Sequence, residues 1–230
     1  TLIEEGKKGK ALSLDGKSTN YLTVTAKDGG SLLTAYDEVT LCYWVKAPKV
    51  TASNWSFYAA GNNRNQQRNQ ETYLGILDKG DNVEVQRYKN NGGRPASVTA
   101  NTSADEWKFI SIVIQKDKTE LFVNGKKSGE KTSSYLLSDI LGDESVCYIG
   151  RANWGTGEYF KGVIDEYSIY NYAMTETEIF REYNADQIDG VVAAIHSIEE
   201  VWYSKNMEKK IKAAREAYDA LTEEQKALVG

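Results

Sequence analysis

Residues 159–184, YFKGVIDEYSIYNYAMTETEIFREYN, contain the change of pattern on which the fold depends. The first half, FKGVIDEYSIY, is an apolar run with the composition of a β-strand, whereas AMTETEIFREYN has the spacing of a short helix. Thr175 stands three residues before Glu178, which is the form of a capping box at a helix start. The stretch therefore predicts a last strand followed by a short helix that closes a β domain.

Upstream of this stretch, from residue 10 to about 172, short apolar segments are separated by turn residues. Segments such as NVEVQRY and TELFVNG alternate apolar with polar residues, as strands do when one face packs on a core and the other meets water. The turn dipeptides DG, GG and NG separate many of them. About ten strands at this spacing predict a mostly β fold, a sandwich or a barrel, with an open polar and aromatic face on at least one sheet.

Downstream of residue 184 the period becomes helical. Ile188, Val191, Ile195 and Trp202 fall on one apolar stripe, and LTEEQKALV offers a second capping box. The sequence thus predicts a β domain over residues 1–184 and a small helical unit over 185–230. An apolar stripe needs a partner surface, so part of it would be exposed if a further helix were missing.

The bulk composition argues against several classes of function. The net charge is −5 and the basic residues are scattered, which favours neither nucleic acid nor an anionic membrane as a partner. No apolar run approaches membrane-spanning length. Because the chain begins at Thr1 without a signal sequence, we expect a fragment or a processed form.

The inventory of reactive side chains is small. Cys42, Cys147 and the single His196 supply neither a zinc site of the Cys/His type nor an imidazole for a nucleophile. The two cysteines could pair, although packing alone explains two small buried thiols and favours the unpaired arrangement.

The order of motifs carries a family resemblance. KALSLDG, VTLCYWVKA, EWKFISIVI, TELFVNGKK, YIGR and FKGVIDEYSIYNYAMTETEI, over residues 8–184, resemble laminin-G-like, concanavalin-A-like jelly-roll modules of secreted bacterial proteins. The resemblance implies two curved antiparallel sheets and a non-catalytic carbohydrate-binding module, extracellular or cell-wall associated, often beside a glycoside hydrolase domain. The tail KAAREAYDALTEEQKALV resembles the small helical repeats that follow such modules. A protein-binding or adhesive module and a structural spacer are the alternatives.

The adjacent acids Asp165 and Glu166 raise the question of catalysis. A glycosidase needs two carboxylates about 5 to 10 Å apart on either side of the scissile bond. Neighbouring strand residues point to opposite faces, so we interpret the pair as structural and expect no catalytic activity. The resemblance also implies a structural calcium, for which Asp165 would join Asp15; carboxylates that accept hydrogen bonds without any ion are the alternative.

Ligand-binding residues are expected in the polar loops. Aromatic rings can stack on the apolar face of a sugar, while amide and guanidinium groups pair with its hydroxyls. If the loops at 61–71, 86–94 and 152–158 converge at one rim, Arg64, Arg87 and Arg94 would also suit an acidic sugar. Otherwise the site would lie on the open sheet face around Tyr73 and Gln86. The predicted binding residues are Trp55, Arg64, Tyr88, Arg94, Asn153 and Trp154.

Overall fold

The structure is a computed structural model of the chain and describes most of its residues. The described ranges are 1–3, 5–17, 19–33, 35–61, 72–89, 97–133, 135–142, 144–153, 158–198 and 204–229. They divide into two compact units, Thr1–Met174 and Thr175–Gly230.

Unit 1 is built from strands. In the described residues these are β1 Leu2–Ile3, β2 Ala11–Asp15, β3 Leu22–Val24, β4 Val39–Lys46, β5 Trp55–Gly61, β6 Tyr73–Asp78, β7 Asn82–Tyr88, β8 Val98–Asn101, β9 Lys108–Ile114, β10 Lys118–Val123, β11 Lys126–Thr132, β12 Ser145–Ile149 and β13 Lys161–Tyr170, with the short helix α1, Leu137–Leu141, before β12. A seven-stranded sheet has the order β1-β2-β13-β4-β9-β10-β11, and a six-stranded sheet has the order β3-β12-β5-β6-β7-β8. Every pairing is antiparallel, which confirms the predicted two-sheet sandwich.

The core lies between the two sheets and is mainly aliphatic. In β6 and β7, Leu74, Ile76, Val83 and Val85 point inward and are buried. Successive residues of a strand alternate between faces, so the residues between these four point to the opposite side of the sheet. The alternation seen in the sequence of β7 therefore gives the orientation of the strand correctly.

A β-bulge in β13 explains the two adjacent acids. Asp165 lies opposite Trp44 and Ser168 opposite Cys42, so two residues of β13 face the single residue Tyr43. Glu166 has a φ of 47°, the left-handed conformation found in such bulges. The extra residue leaves Glu166 exposed and lets Tyr167 enter the core, where its ring stacks on Tyr43 at a centroid distance of 5.0 Å.

Both cysteines are buried thiols and do not form a disulfide with each other. Cys42 donates to the Ser111 hydroxyl at 3.4 Å, and burial raises the pKa of Cys147 to about 11. The unpaired arrangement favoured by the sequence is thus confirmed, and packing accounts for both residues.

Unit 2 is helical, with α2 Glu176–Tyr183, α3 Ala185–His196, α4 Lys205–Asp219 and α5 Glu223–Lys226. The capping boxes predicted at Thr175 and Thr222 are both present. The unit begins ten residues before the predicted boundary, because α2 is tied to α3 and α5 through Asn184, whose side chain accepts from Gln225 at 2.7 Å. The short helix expected to close the sandwich thus belongs to the helical unit.

An apolar groove runs along α3 and α4. Ile195 and Ile211 are 39% and 41% exposed on its walls. This agrees with the expectation that part of the apolar stripe is exposed. None of the described helices is long and apolar enough to cross a membrane.

Candidate functional site

A cluster of aromatic side chains covers the outer side of the six-stranded sheet, away from the core. We call this side the outward face. Its buried members are separate from the sandwich core, and Tyr148 packs against them. They are Trp55, Tyr58, Ala60, Tyr73, Leu77, Tyr88 and Ala152.

A second β-bulge, in β5, brings Trp55 to the outward face. Trp55 lies opposite Leu77 and Phe57 opposite Ile76, so Ser56 is an extra residue. The Ser56 hydroxyl stays on the inner side, 3.1 Å from the hydroxyl of Tyr43. The shift turns Trp55 outward instead of into the core.

The ring of Trp55 lies flat against the backbone of β6 at Gly75. A Cβ at position 75 would come within 2.3 Å of Trp55 Cζ3, so only glycine makes room for the ring there. The indole Nε1 donates to Glu158 Oε2 at 2.6 Å. The backbone at Gly75 and the hydrogen bond to Glu158 therefore fix the position and the orientation of this ring.

Three tyrosines continue the aromatic surface from Trp55. Tyr58 and Tyr73 stack at 5.1 Å, Trp55 meets both edge-on at 5.7 Å, and Tyr73 meets Tyr88 at 5.2 Å. These are favourable geometries for aromatic pairs. All four rings are 3% exposed or less, so they form a rigid floor and not an open platform.

Polar side chains on the same face are locked by hydrogen bonds. The Tyr73 hydroxyl donates to Gln86 Oε1 at 2.6 Å, and Gln86 Nε2 donates to Glu84 Oε1 at 2.7 Å. Tyr73 and Gln86, predicted from the sequence as the centre of an alternative site, both lie on the outward face.

The outward face is accessible at its β3–β12 edge, which we call the accessible end, and exposed Thr99 marks the opposite edge at β8. Tyr21, Tyr148 and Tyr159 are partly exposed there, together with Arg151 and Asn153. Tyr21 meets Tyr148 edge-on at 5.8 Å. A ligand that approaches at the accessible end would meet these side chains first.

The predicted binding residues have different locations. Trp55 and Tyr88 were expected as exposed rings, but both are strand residues and are 3% exposed. The bulge in β5 places Trp55 on the packed outward face, and the alternation of β7 places Tyr88 there. Asn153 is partly exposed beside Arg151. Arg64, Arg94 and Trp154 lie outside the described residues.

The assumption that three loops meet at one rim is not supported by the register. Tyr73 pairs with Tyr88, so the segments that precede β6 and follow β7 leave the same end of the sheet. Ser145 pairs with Gly61 and Ile149 with Phe57, so the segment after β12 leaves the opposite end. Antiparallel order therefore separates 152–158 from the other two loops at their points of attachment.

Arg87, suggested for an acidic sugar, is buried on the inner side. Its Nη1 donates to the carbonyls of Gln115 and Lys118, and its Nη2 to those of Lys116 and Tyr135. Burial lowers its pKa to about 10, so it remains charged at neutral pH. It clamps the β9–β10 turn and has no role at the outward face.

The predicted calcium ligands Asp15 and Asp165 do not share a site. Lys161 lies opposite Asp15, so Asp165 is four residues further along β13, about 13 Å away at ~3.3 Å per residue. Asp165 accepts from the backbone N–H groups of Lys8 and Glu166 at 2.8 and 2.9 Å. Its carboxylate thus holds the N-terminal segment on β13. Hydrogen bonding of this kind was the alternative to a calcium ligand.

Asp15 makes its own local contacts. It accepts from the Asn20 amide at 2.8 Å, which lowers the pKa of Asp15. Among the described residues, no three His, Cys, Asp or Glu side chains cluster as metal ligands. Calcium itself stays a prediction, which melting curves with and without chelator would test.

Sequence reasoning missed Tyr21, Tyr148 and Arg151. Tyr148 could have been found, because Cys147 and Ile149 point inward and alternation then turns Tyr148 outward. Arg151 could not, because Gly150 has a φ of 93° and ends the alternation just before it.

Several solved structures resemble the chain. Domain 4 of AbnA, an extracellular GH43 arabinanase from Geobacillus stearothermophilus, in complex with arabinotriose, has a TM-score of 0.59 at 18% identity, covering 78% of this chain and 79% of that one. The CBM40 of the Ruminococcus gnavus IT-sialidase, bound to α2,3 sialyllactose, has a TM-score of 0.61 at 15% identity, covering 75% and 96%. The binding domain of Paraclostridial Mosquitocidal Protein 1 has a TM-score of 0.56 at 18% identity, covering 81% and 46%. At these identities the similarity establishes the fold.

No curated protein sequence matches the chain. A protein-family model does match, over residues 15–180, from the last residue of β2 through β13 and into α2. The model is Laminin_G_3, and the chain therefore belongs to the concanavalin A-like lectin/glucanases superfamily.

Proposed function

We propose that the chain is a lectin-like module that binds a glycan at the accessible end of the outward face. The observation that carries the proposal is the tyrosine pair Tyr21 and Tyr148, partly exposed at the edge of an aromatic floor that contributes nothing to the sandwich core. An aromatic ring offers its apolar face to a sugar ring, and polar neighbours select among the hydroxyls. Arg151 and Asn153 supply those polar neighbours.

The buried part of the cluster has a supporting role in this proposal. The contact of Trp55 with Gly75 and the stacking of Tyr58 on Tyr73 hold the floor rigid. Tyr58 lies opposite Tyr148 in the pairing of β5 with β12, so the rigid floor adjoins Tyr148. A rigid surface loses little conformational entropy when a ligand binds, which favours affinity.

The structural relatives support a glycan as the ligand class. The arabinanase domain is in complex with arabinotriose and the CBM40 with sialyllactose. Both belong to glycan-degrading enzymes, and the arabinanase is extracellular. We extend the proposal accordingly: this module is non-catalytic, is extracellular, and targets a glycoside hydrolase or similar enzyme domain in the same protein to its substrate.

The test is a glycan array with the full chain, followed by calorimetry with the glycan that binds best. Tyr148→Ala removes one stacking ring and should weaken binding by about 1–3 kcal/mol, roughly five- to hundredfold. Tyr172→Ala is the matched control, because Tyr172 is 42% exposed and follows β13 of the other sheet. It should bind like the parent.

Two outcomes would contradict the proposal. If no glycan binds, the protein-binding module or the spacer would take its place. If Tyr148→Ala stays folded and binds like the parent, the glycan site lies away from the outward face. Turnover of the bound glycan by the purified chain would contradict the non-catalytic assignment alone.

A further inference from the structure

Arg151 is held on the outward face by rings and not by acids. Its guanidinium carbon lies 4.6 Å from the ring centroid of Tyr21, 4.9 Å from that of Tyr148 and 5.8 Å from that of Tyr159. Cation–π contacts of this kind fix the plane of a guanidinium without using its N–H donors.

The hydrogen bonds of Arg151 leave most of its donors unused. Nε donates to the carbonyl of Ala152 at 2.8 Å. Within the described part of the chain, neither Nη group has a hydrogen-bond acceptor and no carboxylate lies within ion-pair distance. The nearby acid Glu158 accepts from Trp55 Nε1 instead. Arg151 is also partly exposed, so its free Nη groups remain accessible to a ligand.

Arg87 shows what a structural arginine looks like in the same domain. Its two Nη groups donate to four backbone carbonyls, and it is 3% exposed. Arg151 has the opposite arrangement, since its Nε donates to Ala152 and its two Nη groups have no partner among the described residues. A fixed, unpaired fork of two Nη groups matches the two oxygens of a carboxylate, and such bidentate pairs are strong and directional.

We propose that Arg151 is the subsite for a carboxylate on the sugar ring of the bound glycan. This rests on the proposed glycan-binding function and narrows its ligand to carboxylated sugars. Tyr148 and Tyr21 flank the fork, so a sugar ring could contact a tyrosine while its carboxylate meets Arg151. Uronic acids and sialic acids share this chemistry.

The experiment compares glycans that differ in the carboxylate. One arm uses 3′-sialyllactose against its methyl ester, and the other uses trigalacturonic acid against its methyl ester. The readout is the ratio of the two dissociation constants within a pair, measured by calorimetry on the full chain. We expect the parent to prefer the carboxylated member of at least one pair tenfold or more, and the preferred arm identifies the sugar class.

Three variants test the role of Arg151. Arg151→Gln should bring the ratio close to one, and Arg151→Lys should retain part of the preference because it keeps the charge but not the fork. Arg215→Gln, on the exposed surface of α4, is the control and should keep the ratio of the parent. Melting curves establish that each variant is folded.

The outcomes separate this inference from the proposed function. Neutral and carboxylated members binding equally well to the parent would overturn the carboxylate subsite and leave glycan binding intact. A folded Arg151→Gln that weakens both members by the same factor would assign Arg151 a merely structural role. Failure of every glycan to bind would overturn both.

Discussion

The two faces of the six-stranded sheet are made by the same strands and yet differ in chemistry. Inward residues are mainly aliphatic, as Ile76 and Val85 illustrate, and outward residues are mainly aromatic or polar, as Tyr73 and Gln86 illustrate. The inner face has a partner sheet, whereas the outward aromatic cluster is separate from the core. The same strands therefore carry two packed clusters, one in the sandwich core and one outside it.

The largest expected effect comes from the inner face. Ile76→Ala should lower the free energy of unfolding by about 2–5 kcal/mol, because it opens a cavity among fully buried side chains. Urea denaturation measures the change. A loss below about 1 kcal/mol would mean that the inner face is not the stabilising one.

Substitution of Arg87 tests how much a buried polar side chain on the inner side contributes to stability. Arg87→Gln should cost about 2–4 kcal/mol, because four carbonyl groups lose a charged, buried donor. Arg151→Gln should cost about 1 kcal/mol in the same denaturation experiment, since it loses partly exposed cation–π contacts and one hydrogen bond but no buried charged donor. An equal loss in the free energy of unfolding for the two variants would contradict the assignment of Arg87 as structural and Arg151 as accessible to a ligand.

Gly75→Ala tests how the aromatic floor is seated. The new Cβ would meet Trp55 at 2.3 Å, so the ring must move. We expect a loss of about 1–3 kcal/mol in stability and a changed near-ultraviolet circular dichroism spectrum.

Gly190→Ala in α3 is the matched control for Gly75→Ala. Nothing lies within 4 Å of a Cβ at position 190, and alanine is the better helix former, so stability should rise by up to about 1 kcal/mol. An unperturbed aromatic spectrum in Gly75→Ala would contradict the described position of Trp55.

The smallest effect is expected at the bulge of the other sheet. Glu166→Gly should raise stability by about 0.5–1 kcal/mol, because Glu166 is exposed and has a φ of 47° that glycine adopts without steric cost. Thermal denaturation monitored by circular dichroism measures the shift. A clear loss of stability would mean that the Glu166 side chain has a role that its exposure hides.

Much of the fold could be predicted because it follows from local patterns. Alternation in NVEVQRY gave the faces of β7, and the Thr175 and Thr222 capping boxes gave two helix starts. These signals depend only on neighbours in sequence, so no long-range contact is needed to interpret them.

The candidate site was harder to predict because it depends on register. The bulge at Ser56 moves Trp55 to the outward face, and strand order separates the segment after β12 from the loops at 61–71 and 86–94. The bulge and the strand order both depend on pairing between distant segments, so neither produces a periodic pattern in the sequence. Asp15 and Asp165 failed as a pair for the same reason, since the β2–β13 register sets them four residues apart.

The central claim is that the accessible end of the outward face binds the glycan, and amide chemical-shift mapping tests it most directly. The full chain, labelled with nitrogen-15, is titrated with the best array glycan. We predict that the largest shifts fall at residues 21–23, 148–153 and 158–159, with β11 in the seven-stranded sheet unaffected. The largest shifts in the seven-stranded sheet or in the helical unit would contradict the account.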